Sequence, residues 1–182
     1  ARRILILVPK AVLSQWQNEL CEKFNLNVPI YDGKTLSWKR THGFQGPSEK
    51  KVGRAEWHRD PFVLASSQLL RRRDRAADLA EAEGWDLLVL DEAHHARRKA
   101  PGSPQEGGPN QLLRFVGDLR GRAKSLLLLT ATPMQVHPVE IWDLLRLLGL
   151  PAGWAEDRSV FLRYFDLTRG NPSQADLEFL AD

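Results

Sequence analysis

The 182 residues predict an α/β fold, a parallel sheet with helices on both faces. Three observations carry that expectation. Five short apolar runs, at Ile4–Val8, Val28–Tyr31, Pro61–Ala65, Trp85–Leu90 and Lys124–Leu129, have the length and β-branched or apolar content of strands. Segments of helical period stand between most of them. The strongest runs are apolar at consecutive positions, which marks strands buried on both faces.

Each element has a local reason. Ile4–Val8 is stopped by Pro9. Residues 11–24 place Val12, Leu13, Trp16, Leu20 and Phe24 at helical spacing. After Val28–Tyr31, residues 32–60 scatter Gly, Ser, Lys and His around Trp38, Phe44 and Trp57, without the period of either element, and read as an irregular insertion. Trp38 and Trp57 could stack on bases, but tryptophans in such a segment more often pin it to its own domain. Ser66-Ser67 offers an N-cap for a helix reaching about Glu83, ended by Gly84. A turn around residues 93–97 leads to Pro101-Gly-Ser-Pro-Gln-Glu-Gly-Gly-Pro109, the most loop-like stretch and the one expected to be mobile. A helix over residues 111–119 follows. Pro138 opens a helix that runs to Leu148 and is stopped by Gly149 and Pro151. The last thirty residues read as one or two helices with Phe161, Leu162, Phe165, Leu177 and Leu180 as apolar faces.

Composition excludes several classes. Hydrophobic residues make up 42% and charged residues 27%, so general disorder, a collagen repeat and a coiled coil are ruled out. No stretch approaches the ~20 apolar residues of a membrane helix. One cysteine, Cys21, cannot form an internal disulfide, which fits a reducing compartment. Lys and Arg number 26 against 23 Asp and Glu, a mild excess that permits nucleic-acid binding without requiring it.

Ligands of parallel sheets bind at the carboxyl ends of strands. There Leu87-Leu88-Val89-Leu90 runs into Asp91-Glu92-Ala93-His94. Two adjacent carboxylates at a buried strand end suit nucleotide hydrolysis: one to hold Mg²⁺, the other to orient the attacking water. A strand followed by an acidic helix cap would give the same pair. Asp91, His94 and His95 could also suggest a transition metal, but they lack the His-Glu-x-x-His spacing that places two imidazoles on one helix face. Thr130-Ala131-Thr132-Pro133 closes the next strand in the same way, with hydroxyls that can bond the acidic motif.

Asp91-Glu92-Ala93-His94 resembles motif II, and Thr130-Ala131-Thr132-Pro133 motif III, of superfamily-two helicase-like ATPases. Leu7-Val8-Pro9-Lys10 with Leu13, Gln15-Trp16 and Glu19 resembles motif Ia as Swi/Snf-type translocases carry it. Phe62–Ser67 with Leu69-Leu70 resembles their motif Ib region. Met134-Gln135 followed by Glu140-Ile141-Trp142-Asp143-Leu144-Leu145 is similar to the Swi/Snf segment after motif III, although Val136-His137 stands where Asn is usual. His95 after motif II and His137-Pro138 after motif III lean toward the bacterial RapA-like branch. The resemblance covers about residues 4–165.

The resemblance implies a RecA-like first helicase lobe of P-loop NTPase type, ATP and Mg²⁺ as cofactors, and a second RecA-like lobe in the same polypeptide. Double-stranded DNA would lie across both lobes, in the bacterial cytoplasm at the nucleoid, with no membrane partner. Asp91 would hold Mg²⁺ and Glu92 would position water. His94, Thr130, Thr132 and Gln135 would couple the nucleotide to the DNA path. Pro9, Lys10, Ser66 and Ser67 would contact the DNA backbone. The family's P-loop lysine precedes motif Ia. Asp32-Gly33-Lys34-Thr35 does contain Gly-Lys-Thr, but the earlier glycine of a P-loop would fall at Val28, so it reads as a turn.

The expected organisation is therefore a partial lobe over residues 1–150, whose P-loop would lie upstream of Ala1, with a helical extension over residues 151–182. Such a fragment should be inactive alone and should self-associate through an open strand edge beside Leu126–Leu129. Two alternatives stay open within the superfamily: a strand-separating helicase, and a restriction or anti-phage translocase subunit. A third, of another class, is a nucleic-acid or protein adaptor with a non-functional nucleotide site. Two basic runs, Arg71-Arg72-Arg73 with Arg75 and Arg97-Arg98-Lys99, could face DNA or solvent.

Overall fold

A computed structural model describes residues 2–41, 43, 46–80, 82–134, 137–170, 173–174, 176 and 179. The strands are β1 (Ile4–Val8), β2 (Ile30–Tyr31), β3 (Thr35–Ser37), β4 (Glu49–Lys51), β5 (Phe62–Ser66), β6 (Trp85–Leu90) and β7 (Ala123–Leu128). They form one seven-stranded sheet in the order β4-β3-β2-β5-β1-β6-β7. From β2 to β7 every pairing is parallel, and β3 and β4 extend the sheet antiparallel at one edge.

The central strand β1 shows why the sheet is covered on both sides. Leu5 and Leu7 join a core with Val63, Leu88 and Leu90. Helices α2 (Ser67–Leu70), α3 (Arg73–Ala80), α4 (Gln111–Arg120) and α5 (Val139–Leu148) pack on that face. Ile6 and Val8 point the other way, with Val28, Leu64 and Val89, under Leu13, Trp16 and Leu20 of α1 (Leu13–Phe24). Alternation along β1, β5 and β6 sends their apolar residues to both cores, the pattern of an α/β sheet.

The insertion is the main departure from the sequence pattern. Residues 35–37 and 49–51 form strands, too short to carry a hydrophobic period, and Glu49–Lys51 is exposed at every position. Asp32-Gly33-Lys34-Thr35 is the turn between β2 and β3. The Asp32 carboxylate accepts the Lys34 and Thr35 amides at 2.8 and 2.7 Å, and Gly33 takes φ +107°, a conformation that favours glycine. Trp57 closes the insertion onto the core: it is fully buried and stacks on Tyr31 with ring centroids 4.6 Å apart.

The helix expected from Ser67 to about Glu83 is broken at residues 71–72 into α2 and α3. In the loop expected to be mobile, Gly107 N–H donates to Lys99 O, Asn110 N–H to Arg97 O, and Gly102 N–H to the Glu106 carboxylate. Beyond α5, helices α6 (Ala152–Glu156) and α7 (Arg158–Leu167) pack Trp154, Phe161 and Phe165 against Val139 and Trp142. Leu177 and Leu180 lie outside the described residues. No helix among those described is long and apolar enough to cross a membrane.

Candidate functional site

The carboxyl ends of β1, β5, β6 and β7 meet at one rim of the sheet. Strands β6 and β7 stay paired past their ends: Leu129 N–H donates to Leu90 O and Ala93 N–H to Leu129 O, both at 2.9 Å. Asp91 N–H donates to Leu7 O at 2.8 Å, which ties the acidic motif to β1 as well. The motif's backbone is thus fixed from two neighbouring strands.

Asp91 has both carboxylate oxygens engaged. Oδ1 accepts the Glu92 amide at 2.9 Å, and Oδ2 accepts the indole Nε1–H of Trp16 at 2.8 Å. A carboxylate offers about four lone-pair sites, so acceptor capacity remains for a hard cation or its water shell. Glu92 sits in the left-handed region, φ +52° and ψ +48°, a conformation that costs a non-glycine residue ~1–3 kcal/mol. The Asp91 carboxylate on its amide and the next residue's bond to Leu129 O over-determine that geometry. The Glu92 carboxylate lies 3.2 Å from His94 Nδ1. The same Nδ1 is 3.0 Å from Thr130 Oγ1, and Thr130 Oγ1 also accepts Thr132 N–H at 3.2 Å. Glu92, His94, Thr130 and the Thr132 backbone therefore form one chain of polar contacts between the two strand ends. Burial, and then the neighbouring His94, hold the His95 imidazole below its ordinary range.

Pro9, Ser67, Gln68, Arg71, Asp91, Glu92, His95, Arg97, Asn110 and Leu112 line a cleft of about 270 Å³ above these strand ends. Ser66 and Ser67 are 5% and 6% exposed. Their hydroxyls point at a common acceptor, Gln68 Oε1, at 3.0 and 3.4 Å, and the Lys10 backbone N–H reaches the same oxygen at 3.1 Å. Ser66 Oγ also caps α2 by accepting Leu69 N–H at 3.2 Å.

The structure brings Pro9, Lys10, Ser66, Ser67, Asp91 and Glu92 to this one rim, with His94, Thr130 and Thr132 at its flank. Gln135 lies outside the described residues. Sequence reasoning gave no role to Gln68 or Asn110, left Arg71 between DNA and solvent, and saw Trp16 as an apolar helix position and part of the motif Ia resemblance, with no link to Asp91. Asn110 was legible, since it precedes an apolar helix: its Oδ1 accepts Leu113 N–H, and its Nδ2 donates to His95 O at 2.7 Å. Gln68 carries no sequence signal, because the Lys10 amide that it meets follows another strand, 58 positions away.

The basic runs divide. Arg71 and Arg97 line the cleft, whereas Arg75 turns inward to donate to Tyr31 Oη at 3.0 Å. Arg98 makes two 2.8 Å bonds to the buried Asp143 of α5. Arg98 is thus a structural clamp between the segment after β6 and the helix after β7.

The model of the SNF2-related domain family matches residues 1–178. Over 149 residues the chain is 34% identical to the RNA polymerase-associated protein RapA of Sodalis glossinidius (strain morsitans), a match over 81% of this chain and 14% of that protein. Over the same length it is 33% identical to the protein of that name from Klebsiella pneumoniae (strain 342) and 34% to that of Stutzerimonas stutzeri (strain A1501), with the same coverage. The chain spans 14% of the length of these curated relatives. With its α/β sheet, its acidic strand end and the hydroxyls beside it, the chain belongs to the SNF2-related domain family, of helicase-like Swi/Snf type, on its RapA-like branch.

Proposed function

We propose that this chain is the first lobe of an ATP-driven motor that moves along double-stranded DNA. The observation that carries this is the polar chain from Glu92 through His94 to Thr130, beside the cleft lined by Pro9, Ser67 and Asp91. A group that senses the nucleotide and groups that face the DNA backbone are then linked through one sheet rim. Contacts from backbone amides and hydroxyls read phosphate and not base identity, which suits a motor that tracks any sequence.

In this reading Asp91 would hold Mg²⁺ and Glu92 would orient the attacking water. Mg²⁺ bound with ATP would neutralise charge that develops on the transferred phosphoryl group. His94, Thr130 and Thr132 pass the nucleotide state toward Pro9, Lys10, Ser66 and Ser67, and Gln135 is assigned to the same relay. Residues 1–150 make the lobe and residues 151–182 a helical extension. In this reading turnover also needs a phosphate-binding lysine and a second RecA-like lobe, and residues 1–182 alone should lack it. The edge of β7, where Leu127 is 45% exposed, supports self-association of the isolated chain, which light scattering would read. Bacterial relatives named for their association with RNA polymerase suggest that the motor works at the nucleoid and on transcription complexes.

The test is Glu92→Gln in a protein carrying both lobes. The expected result is nucleotide binding retained and DNA-stimulated ATP hydrolysis abolished. Hydrolysis retained in that variant overturns the assignment.

A further inference from the structure

Gln68 is an exposed side chain at the mouth of the cleft, yet its carbonyl oxygen is turned inward onto three donors. These are the Lys10 N–H at 3.1 Å, the Ser66 hydroxyl at 3.0 Å and the Ser67 hydroxyl at 3.4 Å. The backbone N–H can only donate, so it fixes which end of the amide faces it, and Oε1 is the atom in the cradle. The donors come from the ends of two adjacent parallel strands, β1 and β5, whose last residues pair in register as Val8 with Ser66. Strand pairing, and not Gln68, therefore sets the spacing of the cradle.

Three converging donors around one oxygen are what a phosphate oxygen requires. Arg71 lines the same cleft and adds positive charge beside it. Ser66 and Ser67 are almost fully buried under this arrangement, so while Gln68 lies down their hydroxyls are closed to an incoming backbone. We propose that Gln68 is an internal substitute for a DNA phosphate oxygen: it fills the cradle in the free protein and must swing out for Lys10, Ser66 and Ser67 to take the phosphate. The proposal rests on the DNA reading above and deepens it, since it makes Gln68 the residue that sets the affinity of that site.

The swing breaks only side-chain bonds. Ser66 Oγ keeps its cap on Leu69 N–H, and β1 and β5 stay paired. Gln68 has the flexible stem and the exposure to move without disturbing the core. A neutral amide oxygen is a weaker acceptor than a phosphate oxygen, so the exchange favours DNA while it taxes affinity.

The experiment measures binding of a short fluorescein-labelled duplex to a protein carrying both lobes by anisotropy at low ionic strength, for the wild type, Gln68→Ala and Gln68→Met. Both variants remove the competing oxygen, and Met keeps the bulk of the side chain over the cradle. The expected result is that binding tightens by roughly three- to tenfold in both. A side chain with a merely structural role would not tighten binding when removed. Wild-type binding that both variants leave unchanged or weaken overturns the lid and leaves the DNA reading standing. No binding by any of the three overturns the DNA reading itself. Urea midpoints of the variants confirm that folded proteins are compared. If one variant does not fold, the other decides.

Discussion

The indole of Trp16, on the first turn and a half of α1, donates a 2.8 Å hydrogen bond to Asp91 at the end of β6, 75 residues away. An apolar helix position thereby orients the carboxylate that we propose holds Mg²⁺. A bond from a neutral donor to an ionised acceptor contributes ~1.5–3 kcal/mol. Trp16→Phe keeps an aromatic ring against Leu20 and removes the donor. In a protein with both lobes, it should lower ATP turnover by about tenfold and raise the Mg²⁺ concentration needed for half-maximal rate. Unchanged Mg²⁺ dependence would show that Asp91 orients itself.

Arg98 and Asp143 form a second long-range pair, and here burial decides the energetics. Asp143 is 4% exposed, and the guanidinium holds both of its oxygens at 2.8 Å. The bond to Asp143 is also the main reason the Arg98 pKa is raised. Removing one partner leaves a buried charge uncompensated, at a cost of ~3–5 kcal/mol. Arg98→Met should cost about that much by urea denaturation of this chain. Arg98→Met with Asp143→Leu should recover most of it, because an apolar pair needs no desolvated charge.

Stability should fall with acidity in two separate windows. Burial, and then the charges of Arg3 and Arg59, hold His58 below its ordinary range, so the folded chain resists a proton that the unfolded chain accepts. That contribution is present above the unfolded histidine value of ~6.5 and is lost as pH falls through the folded value. Asp86 is held well below the carboxylate range by the Lys124 ammonium and then by the Arg2 and Arg3 amides. Its contribution is present above the unfolded value of ~3.9 and disappears only in stronger acid. Chemical denaturation against pH should show both steps. His58→Phe should flatten the upper one and Asp86→Asn the lower one.

Trp57 tests whether the insertion belongs to the domain. It is fully buried and stacked on Tyr31. Trp57→Ala should cost ~3–5 kcal/mol in urea denaturation, the range for emptying a large aromatic site in a core. A loss below ~1 kcal/mol would mean that residues 32–60 can detach without loosening the sheet.

Strands β1, β5 and β6 were legible because they are apolar on both faces, and the acidic and hydroxyl motifs because they follow apolar runs. The turn at Gly33 was legible from local chemistry alone, since Asp32 bonds its own neighbours. Strands β3 and β4 were not: three residues each, one of them wholly exposed, leave no period to find. The break between α2 and α3 fell within an arginine run that fits a continuous helix as well as an interrupted one.

The sequence by itself determined the order of the parallel strands along the chain, that helices cover both faces of their sheet, and which residues stand at the strand ends. All of that follows from period and from side chains bonding within a few positions. Only the tertiary structure decided that Trp16 serves Asp91, that Arg98 belongs to Asp143 and not to the cleft, and that Gln68 closes on Lys10, Ser66 and Ser67. Gln68 meets Lys10 from 58 positions away, and the other two pairs are separated by 45 positions or more. No local pattern encodes such distances; parallel strands carried past intervening helices bring them together.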